Sequence, residues 1–235
     1  MASGLVVTNL AKSFGQKAAL NEVSFAAAPG EIVGLIGPNG AGKSTAFACL
    51  SGFLRPDTGT IAFNGEELGG DRGRIISLIP ETPEVYPLLT VWEHVVFVAR
   101  LCRLPDDWAT RGEALLARFG MLSERDTLGS TLSKGMRQKT LIAATVLAGT
   151  PVLLLDEPLI GLDPLGQREL REILRQLRSD GTAIMISTHQ LEAAEALCDR
   201  VIILKDGRAV ATGTIEEIRS AGTGSLEDVF LEITG

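Results

Sequence analysis

The sequence predicts an α/β fold, in which a core of strands and helices is interrupted by a helical insertion. Apolar runs of strand length occur in residues 1–84 and again in residues 151–235, where they alternate with helical patterns. Residues from about 85 to 150 contain helical patterns only. The chain has 235 residues, which is short enough for one domain. We therefore expect a single domain whose α/β core is 1–84 with 151–235 and whose helical subdomain is about 85–150.

The opening 80 residues are dominated by strand signals. Strands are expected at residues 5–7, 23–25, 32–36, 59–63 and 75–78. The run 32–36 is apolar throughout, as is typical of a strand buried on both faces. A glycine-rich turn follows it, and residues 44–54 are predicted to form a helix that ends before Pro56. Gly15 and Gln16 are predicted to form a turn between the first two strands.

The middle of the chain contains helix signals. Thr90 and Glu93 are three residues apart and precede an apolar run, which is the pattern of a capping box at the start of a helix. Further helices are predicted at 107–119 and 134–147. Because no strand signal separates them, this stretch is expected to form the helical insertion.

Strand and helix patterns alternate again after residue 150. Asp206 and Gly207 are a strong hairpin signal between two of the strands. A glycine-containing break is expected at 222–224, between two short terminal helices. The predicted elements are strands at 152–155, 183–187, 201–204 and 208–212, and helices at 167–178, 191–198, 215–220 and 226–233.

Composition excludes several classes of protein. Hydrophobic residues make up 45% and charged residues 22% of the chain, which excludes a disordered protein. The net charge of −7 argues against nucleic acid as a partner. The three cysteines (Cys49, Cys102 and Cys198) are widely spaced, so we expect neither a disulfide framework nor a zinc site. With no secretory signal and no apolar run of membrane-spanning length, the chain is expected to be soluble and cytosolic.

The strongest motif is the glycine-rich segment after the buried strand 32–36. It matches the pattern G-x-x-x-x-G-K-[ST], whose backbone N–H groups surround the phosphates of a nucleoside triphosphate. Lys43 would contact the β- and γ-phosphates, and the Ser44 hydroxyl would bind Mg²⁺. A glycine-rich turn with a chance lysine is the alternative. The residues of the motif are Gly37, Pro38, Asn39, Gly40, Ala41, Gly42, Lys43, Ser44 and Thr45.

Two acidic residues follow the predicted strand 152–155. In α/β folds the carboxyl ends of strands carry the ligand site, so Asp156 and Glu157 are placed for phosphoryl chemistry. We expect Asp156 to hold Mg²⁺ through water and Glu157 to act as the general base on the attacking water. The alternative is a polar strand end that turns at Pro158.

Residues 132–138, Leu-Ser-Lys-Gly-Met-Arg-Gln, resemble the signature motif of ABC ATPases, which is usually Leu-Ser-Gly-Gly-Gln. Ser133 can cap the helix that begins at Lys134. The resemblance implies that Ser133 and Gly135 contact the ATP held by a second copy of the chain. A Ser-x-Gly helix start is commonplace by itself, but this one lies between the two nucleotide motifs.

Three further positions continue the resemblance. Asp163, in Gly-Leu-Asp, is similar to the D-loop that crosses the dimer interface. His189, in Ser-Thr-His, is similar to the switch histidine that senses the γ-phosphate. Phe14 matches the aromatic residue, usually Tyr, that stacks on adenine. Taken singly, two of them have a purely structural alternative: His189 as a surface or capping residue at a helix start, and Phe14 as an apolar residue at a strand edge.

Glu81 departs from the family pattern. ABC ATPases carry Gln at this position, the Q-loop, and a Glu there can also ligate Mg²⁺ but adds negative charge beside the triphosphate. With Glu81 and the Leu-Ser-Lys-Gly-Met signature, the sequence resembles the export-type bacterial branch of the family. The apolar residues 85–89 lie in the region that, in the family, helps to receive a membrane subunit. The alternative is a buried loop that packs on its own subdomain.

The resemblance covers nearly the whole chain and implies an ABC-type P-loop core with an N-terminal antiparallel β-subdomain and a helical insertion. It implies an ATPase that binds ATP and Mg²⁺, forms a homodimer around two ATP molecules and drives a polytopic permease. Such a protein would lie at the cytoplasmic face of the inner or plasma membrane. One alternative is a soluble ABC-type ATPase without a permease, such as those of iron–sulfur assembly. Another is a P-loop kinase or GTPase.

Overall fold

The structure is a computed structural model that describes residues 4–70, 72–220 and 226–234. The strands in these residues are β1 (Leu5–Phe14), β2 (Lys17–Ala27), β3 (Ile32–Ile36), β4 (Thr58–Phe63), β5 (Glu66–Glu67), β6 (Ile76–Ile79), β7 (Val152–Asp156), β8 (Ala183–Thr188), β9 (Arg200–Lys205) and β10 (Arg208–Thr214). The α-helices are α1 (Lys43–Ser51), α2 (Val91–Leu101), α3 (Trp108–Arg118), α4 (Lys134–Ala148), α5 (Pro164–Ser179), α6 (Leu191–Leu197), α7 (Ile215–Ser220) and α8 (Leu226–Thr234).

Within the described residues the strands form two sheets. One has the order β2-β1-β4-β5, and its paired strands are antiparallel. The other has the order β10-β9-β3-β8-β7-β6, in which β9, β3, β8 and β7 run parallel and β10 joins as an antiparallel edge. The predicted α/β fold is confirmed, including its antiparallel β-rich beginning.

The central parallel strands are buried because almost every residue in them is apolar. All residues of β3, β7 and β8 are buried. Such continuous runs are typical of parallel sheets that are covered on both faces. The surrounding core includes Phe47 and Leu50 of α1, both fully buried. This rigid sheet positions the loops at its carboxyl edge.

The chain divides into two compact units. One consists of Ile79–Thr150 together with Leu159–Gln176, and the other contains the rest of the described chain. The first of these is helical, and α2 begins with the predicted capping box. The Thr90 hydroxyl accepts from the Glu93 backbone N–H at 3.1 Å, and the Glu93 carboxylate accepts from the Thr90 N–H at 2.8 Å. No helix in the described residues is both long and apolar enough to cross a membrane.

The predicted elements differ from the observed ones mainly at their ends. β1 and β2 extend well beyond the predicted 5–7 and 23–25. Helix α1 ends at Ser51 rather than at residue 54, because Gly52 takes a left-handed conformation that terminates the helix. β5 was not expected, and the predicted break at 222–224 lies outside the described residues. The Asp206–Gly207 hairpin is confirmed by the pairing of Arg208 with Lys205.

Candidate active site

Three segments that carry predicted site residues leave the parallel sheet at one edge. Ile36 of β3 lies opposite Thr188 of β8, and Asp156 of β7 lies opposite Ser187. The carboxyl ends of these strands are therefore neighbours. The glycine-rich loop follows β3, the two acidic residues end β7, and His189 follows β8. Ligands bind at this edge in α/β sheets.

The loop at residues 37–42 is shaped so that backbone lines its interior. Gly37 is buried, and a Cβ there would lie 2.4 Å from the Leu204 carbonyl oxygen. Gly42 has φ +108°, a conformation that other residues rarely adopt, and a Cβ there would lie 2.4 Å from the Ala19 carbonyl oxygen. Helix α1 begins directly after Gly42, so its N-terminus faces the loop. This backbone cradle suits a phosphate group.

Lys43 is held inside the loop. Its ammonium group donates to the carbonyl oxygens of Gly37 at 2.7 Å and Pro38 at 3.2 Å. The side chain is buried although lysine is rarely so. A positive charge is thus held inside the loop, next to the start of α1. Elsewhere in the motif Pro38, Asn39, Gly40 and Ser44 are exposed, Thr45 is half-buried, and Ala41 is buried.

The two acids at the end of β7 have different partners. Asp156 accepts a hydrogen bond from the Ser187 hydroxyl, and the residue is largely buried. Glu157 is 7% exposed, and its carboxylate accepts from three groups on the last residue of β8 and the residue after it. These are the Thr188 hydroxyl at 3.1 Å and the His189 backbone N–H at 2.9 Å, with the His189 ring Nδ1 at 2.7 Å.

Glu157 also has an unusual backbone. Its φ is +46°, in the left-handed region that residues with a Cβ adopt at a cost. Its N–H donates to the Ser187 carbonyl oxygen at 3.1 Å and to the Ser187 hydroxyl at 3.2 Å. These bonds hold the strained residue in place. Strained positions that the surroundings fix in this way cluster at functional sites.

Sequence reasoning missed the contributions of Ser187 and Thr188. It selected His189 from the Ser-Thr-His segment, yet both hydroxyl groups bind the acids of β7. The available signal was a pair of hydroxyl residues that ends a buried apolar strand. In the structure, Glu157 and His189 are in direct contact. Their catalytic roles stay a prediction.

Ser133, Gly135 and Asp163 all lie in the helical unit. Ser133 caps α4 as predicted, because its hydroxyl accepts from the Met136 N–H at 3.3 Å. Gly135 packs so closely that a Cβ there would lie 2.9 Å from the carbonyl oxygen of Gly161, in the same loop as Asp163. The signature segment and the Gly-Leu-Asp segment are therefore neighbours.

Asp163 has a structural role that sequence reasoning did not assign. Its carboxylate accepts from the Gly166 N–H at 2.9 Å, at the start of α5, and pairs with Lys139 Nζ at 3.0 Å. The hydrogen bond from Lys139, followed by that from Gly166, lowers the pKa of Asp163. An Asp before Pro164 is a typical helix start, so the sequence carried this signal.

We expect Asp163→Ala to lower the free energy of unfolding by about 1 kcal/mol, the usual cost of losing an N-cap. Asp163→Asn, which keeps an acceptor for the cap, should cost less. Because the folded pKa of Asp163 is lowered, its stabilisation is complete above the ordinary Asp pKa of about 3.9 and is lost as pH falls through the folded value. Urea unfolding at pH 7 and pH 3 measures both effects. Equal stabilities for the Ala and wild-type chains at pH 7 would contradict this assignment.

The last two predicted site residues lie on the surface. Phe14, at the end of β1, has 52% of its surface exposed, so a face of its ring is open to a planar ligand. Glu81 is also exposed and follows β6 by two residues, within the helical unit. Its predicted metal contact stays a prediction.

Comparison with known proteins identifies the family. The ABC transporter family model matches residues 20–160, which is more than half of the chain and includes the glycine-rich loop, the signature segment and both acids. This chain belongs to the ABC transporter family. It is 37% identical over 238 residues to the ABC-type transporter ATP-binding protein EcsA of Bacillus subtilis, covering 98% of this chain and 96% of that protein.

Other ABC relatives match over nearly the same span. The lipopolysaccharide export ATP-binding protein LptB of Haemophilus influenzae is 34% identical, with 91% of this chain and 92% of LptB covered. The linearmycin resistance ATP-binding protein LnrL of Bacillus subtilis is 32% identical, with 98% of this chain and 74% of LnrL covered.

Solved structures agree with this family assignment. An ATP-binding subunit of an ABC transporter superposes with a TM-score of 0.94 at 35% identity, covering 99% of this chain and 100% of the other. CbiO1 of Clostridium perfringens, described as part of the transporter complex cbiONQ, gives a TM-score of 0.78 at 29% identity, covering 94% and 92%. The chain is accordingly an ATP-binding ABC subunit and an ATPase.

Proposed function

We propose that this ABC subunit hydrolyses ATP with Glu157 as general base and drives a separate membrane permease of the export type. The observation that carries the catalytic part is the set of hydrogen bonds around Glu157. A buried carboxylate contacts His189 at 2.7 Å, at the sheet edge that also carries the glycine-rich loop. The proposed base, Glu157, and the group that orients it, His189, thus lie at the same sheet edge as the loop that suits a phosphate group.

In this proposal Glu157 accepts the proton of the attacking water. His189 and the Thr188 hydroxyl hold its carboxylate in one orientation, and the His189 ring would contact the γ-phosphate. The His189 side chain is 45% exposed while that of Glu157 is 7% exposed, so the histidine is open to a ligand and the base is shielded. Lys43 neutralises charge on the transferred phosphoryl group.

The residues at this edge also suit Mg²⁺. Asp156 offers a buried carboxylate, and Ser44 offers an exposed hydroxyl in the first turn of α1. Both are hard oxygen donors, and Mg²⁺ typically binds one or two such groups together with substrate phosphates. When bound, the ion offsets negative charge on the β- and γ-phosphates. We assign Ser44 and Asp156 to this ion, with Glu81 as a further candidate.

Two copies of the chain are proposed to enclose two ATP molecules. Ser133 caps α4, and the first turn of that helix contains no acidic residue, which leaves its positive end suited to an anion. Ser133 and Gly135 of one copy would contact the ATP bound by the loop of the other. Asp163, packed beside them, would lie near the interface. Each site is then complete only in the dimer, which couples hydrolysis to opening and closing.

The helical unit presents an apolar surface that suits a membrane partner. Tyr86 and Leu88 are 56% and 85% exposed, and the Tyr86 ring packs edge-on against the exposed ring of Phe97 at 5.3 Å. Exposed apolar groups of this kind favour a protein partner. Residues 86 and 88 of the segment 85–89 are therefore not buried in their own subdomain. Their exposure supports docking of a permease at the cytoplasmic face of the membrane.

Similarity to LptB and LnrL supports export, since the first is described as a lipopolysaccharide export protein and the second as a resistance protein.

The proposed membrane partner is tested by purification of the tagged full chain from detergent-solubilised membranes of the native host. We expect a polytopic membrane protein at a fixed ratio, and Leu88→Glu should abolish its capture while Leu165→Glu, at another exposed leucine, should not. A soluble partner instead would favour a permease-free ATPase.

We expect Phe14→Ala to weaken ATP binding by about threefold to tenfold, because stacking on an aromatic ring contributes about 0.5–1.5 kcal/mol. Discrimination between ATP and GTP should fall with it, and kcat should change little. Titration calorimetry with both nucleotides measures the effect, and Phe53→Ala, at another exposed ring, is the control. Equal affinities before and after the change would remove the stacking role.

A further inference from the structure

The end of β1 is anchored to the start of β4 by one acidic residue. Asp57 accepts from Lys12 Nζ at 2.9 Å with one carboxylate oxygen and from the Ser13 backbone N–H at 2.7 Å with the other. Its own N–H donates to the Ala11 carbonyl oxygen at 2.8 Å. Three consecutive residues of β1, immediately before Phe14, are thus bound to Asp57.

The sheet holds this strand end on one side only. The pairing of β1 with β2 shifts register between Lys12 and Ser13 but continues to Phe14, whereas its pairing with β4 ends at Ala11. Such irregularities bend a strand and interrupt its regular hydrogen bonds. Asp57 supplies an anchor on the side where β4 no longer pairs with β1. The hydrogen bond from Lys12, followed by that from Ser13, lowers the pKa of Asp57, so the carboxylate stays charged further into the acid range than an ordinary Asp.

Lys12 connects the anchor to the aromatic ring. While its ammonium group is bound to Asp57, it lies 5.9 Å from the centroid of the Phe14 ring, within the range of a cation–π interaction. The Lys12 side chain is only 17% exposed, so it is largely fixed. This contact favours ring orientations that keep one face toward Lys12, so the ring is partly ordered before a ligand binds.

We propose that Asp57, acting through Lys12 and the Ser13 backbone, is a positioning residue that orients Phe14 for the nucleotide base. This inference rests on the proposed stacking role of Phe14. Asp57 does not touch the nucleotide itself. It restricts the rotation of the Phe14 ring before ATP binds, so less conformational entropy is lost on binding. Such pre-organisation strengthens ATP binding without changing the chemical step.

The alternative is that Asp57 only fastens two strands together. A structural fastener would change the melting temperature and leave the nucleotide affinity of the folded protein unchanged. A positioning residue changes KM for ATP while kcat stays the same, and its effect depends on the presence of the ring. The two roles therefore differ in a measurement that protein stability does not affect.

The test uses the full chain and ATP with Mg²⁺, comparing KM, kcat and melting temperature. We expect Asp57→Ala and Lys12→Met to raise KM about twofold to fivefold with kcat unchanged, which is less than the effect of removing the ring. Asp57→Asn, which retains an acceptor for the Ser13 N–H, should have an intermediate effect. Glu172→Ala is the matched control, since it also breaks an exposed ion pair, with Arg175. Lys12→Met leaves Asp57 in place, so the test does not depend on the stability of one variant.

The decisive comparison is the double variant Asp57→Ala/Phe14→Ala. If Asp57 acts through the ring, the double variant has the KM of Phe14→Ala alone. Unchanged KM in both Asp57→Ala and Lys12→Met would overturn the inference and leave the role of Phe14 intact. So would a rise in KM from Asp57→Ala that persists when Phe14 is also replaced. If Phe14→Ala itself leaves KM unchanged, the stacking role and this inference both fail.

Discussion

Glu157→Gln is expected to lower the rate of ATP hydrolysis by at least about 100-fold, because a positioned general base contributes roughly 10²–10⁴ to the rate. The variant should still bind ATP, since the glycine-rich loop and Lys43 are unchanged. The Glu157 carboxylate accepts from the His189 N–H with one oxygen and from the Thr188 hydroxyl with the other. In Gln the amide oxygen can keep the bond from the His189 N–H, and the amide NH₂ can donate to the Thr188 hydroxyl, because a hydroxyl also accepts. The substitution therefore removes the ability to take a proton while keeping the geometry.

The measurement is phosphate release at saturating ATP, with binding followed separately by calorimetry. Glu192→Gln is the matched control, because it makes the same chemical change at an exposed position in the first turn of α6. Its turnover should equal that of the unmodified chain. Turnover near normal in Glu157→Gln would show that another group is the base.

Lys43→Ala is expected to reduce ATP affinity by at least about tenfold, because hydrogen bonds to charged groups contribute about 1.5–3 kcal/mol each. The ammonium group is already held within the loop by the carbonyl oxygens of Gly37 and Pro38. Its charge is therefore placed before the nucleotide arrives, and little reorganisation is needed on binding.

Calorimetry with ATP measures this loss, and Lys17→Ala, at an exposed lysine of β2, is the control. Because Lys43 also bonds its own loop, the melting temperature of the variant is measured in parallel. Unchanged ATP affinity in a folded Lys43→Ala protein would contradict the assignment of residues 37–45 as the phosphate-binding loop.

The parallel core could be predicted from sequence because burial on both faces leaves an unbroken apolar run. Residues 32–36 were predicted as a strand and form β3 with the same bounds. The antiparallel strands were predicted too short, because β1 and β2 alternate buried with exposed residues and carry polar side chains along one face. A strand that is half exposed gives a weaker signal at its ends.

Within the site, the motifs were predictable and the partners of their side chains were not. The contact between Glu157 and His189 follows from adjacent strand ends once the order of β7 and β8 is known. The roles of Ser187 and Thr188 depend on the register of that pair, in which Asp156 lies opposite Ser187. The anchor formed by Asp57 joins residues 44 and 45 positions apart, a relation that no local pattern reveals.

We propose that ATP joins two copies of this chain by way of Ser133. The most direct measurement is the molecular mass of Glu157→Gln in solution, by light scattering, with and without ATP and Mg²⁺. We expect the 24.9 kDa chain to double its mass only with ATP, and the added substitution Ser133→Arg to keep it monomeric while ATP still binds. A monomer at saturating ATP, or a dimer that Ser133→Arg leaves intact, would contradict the claim.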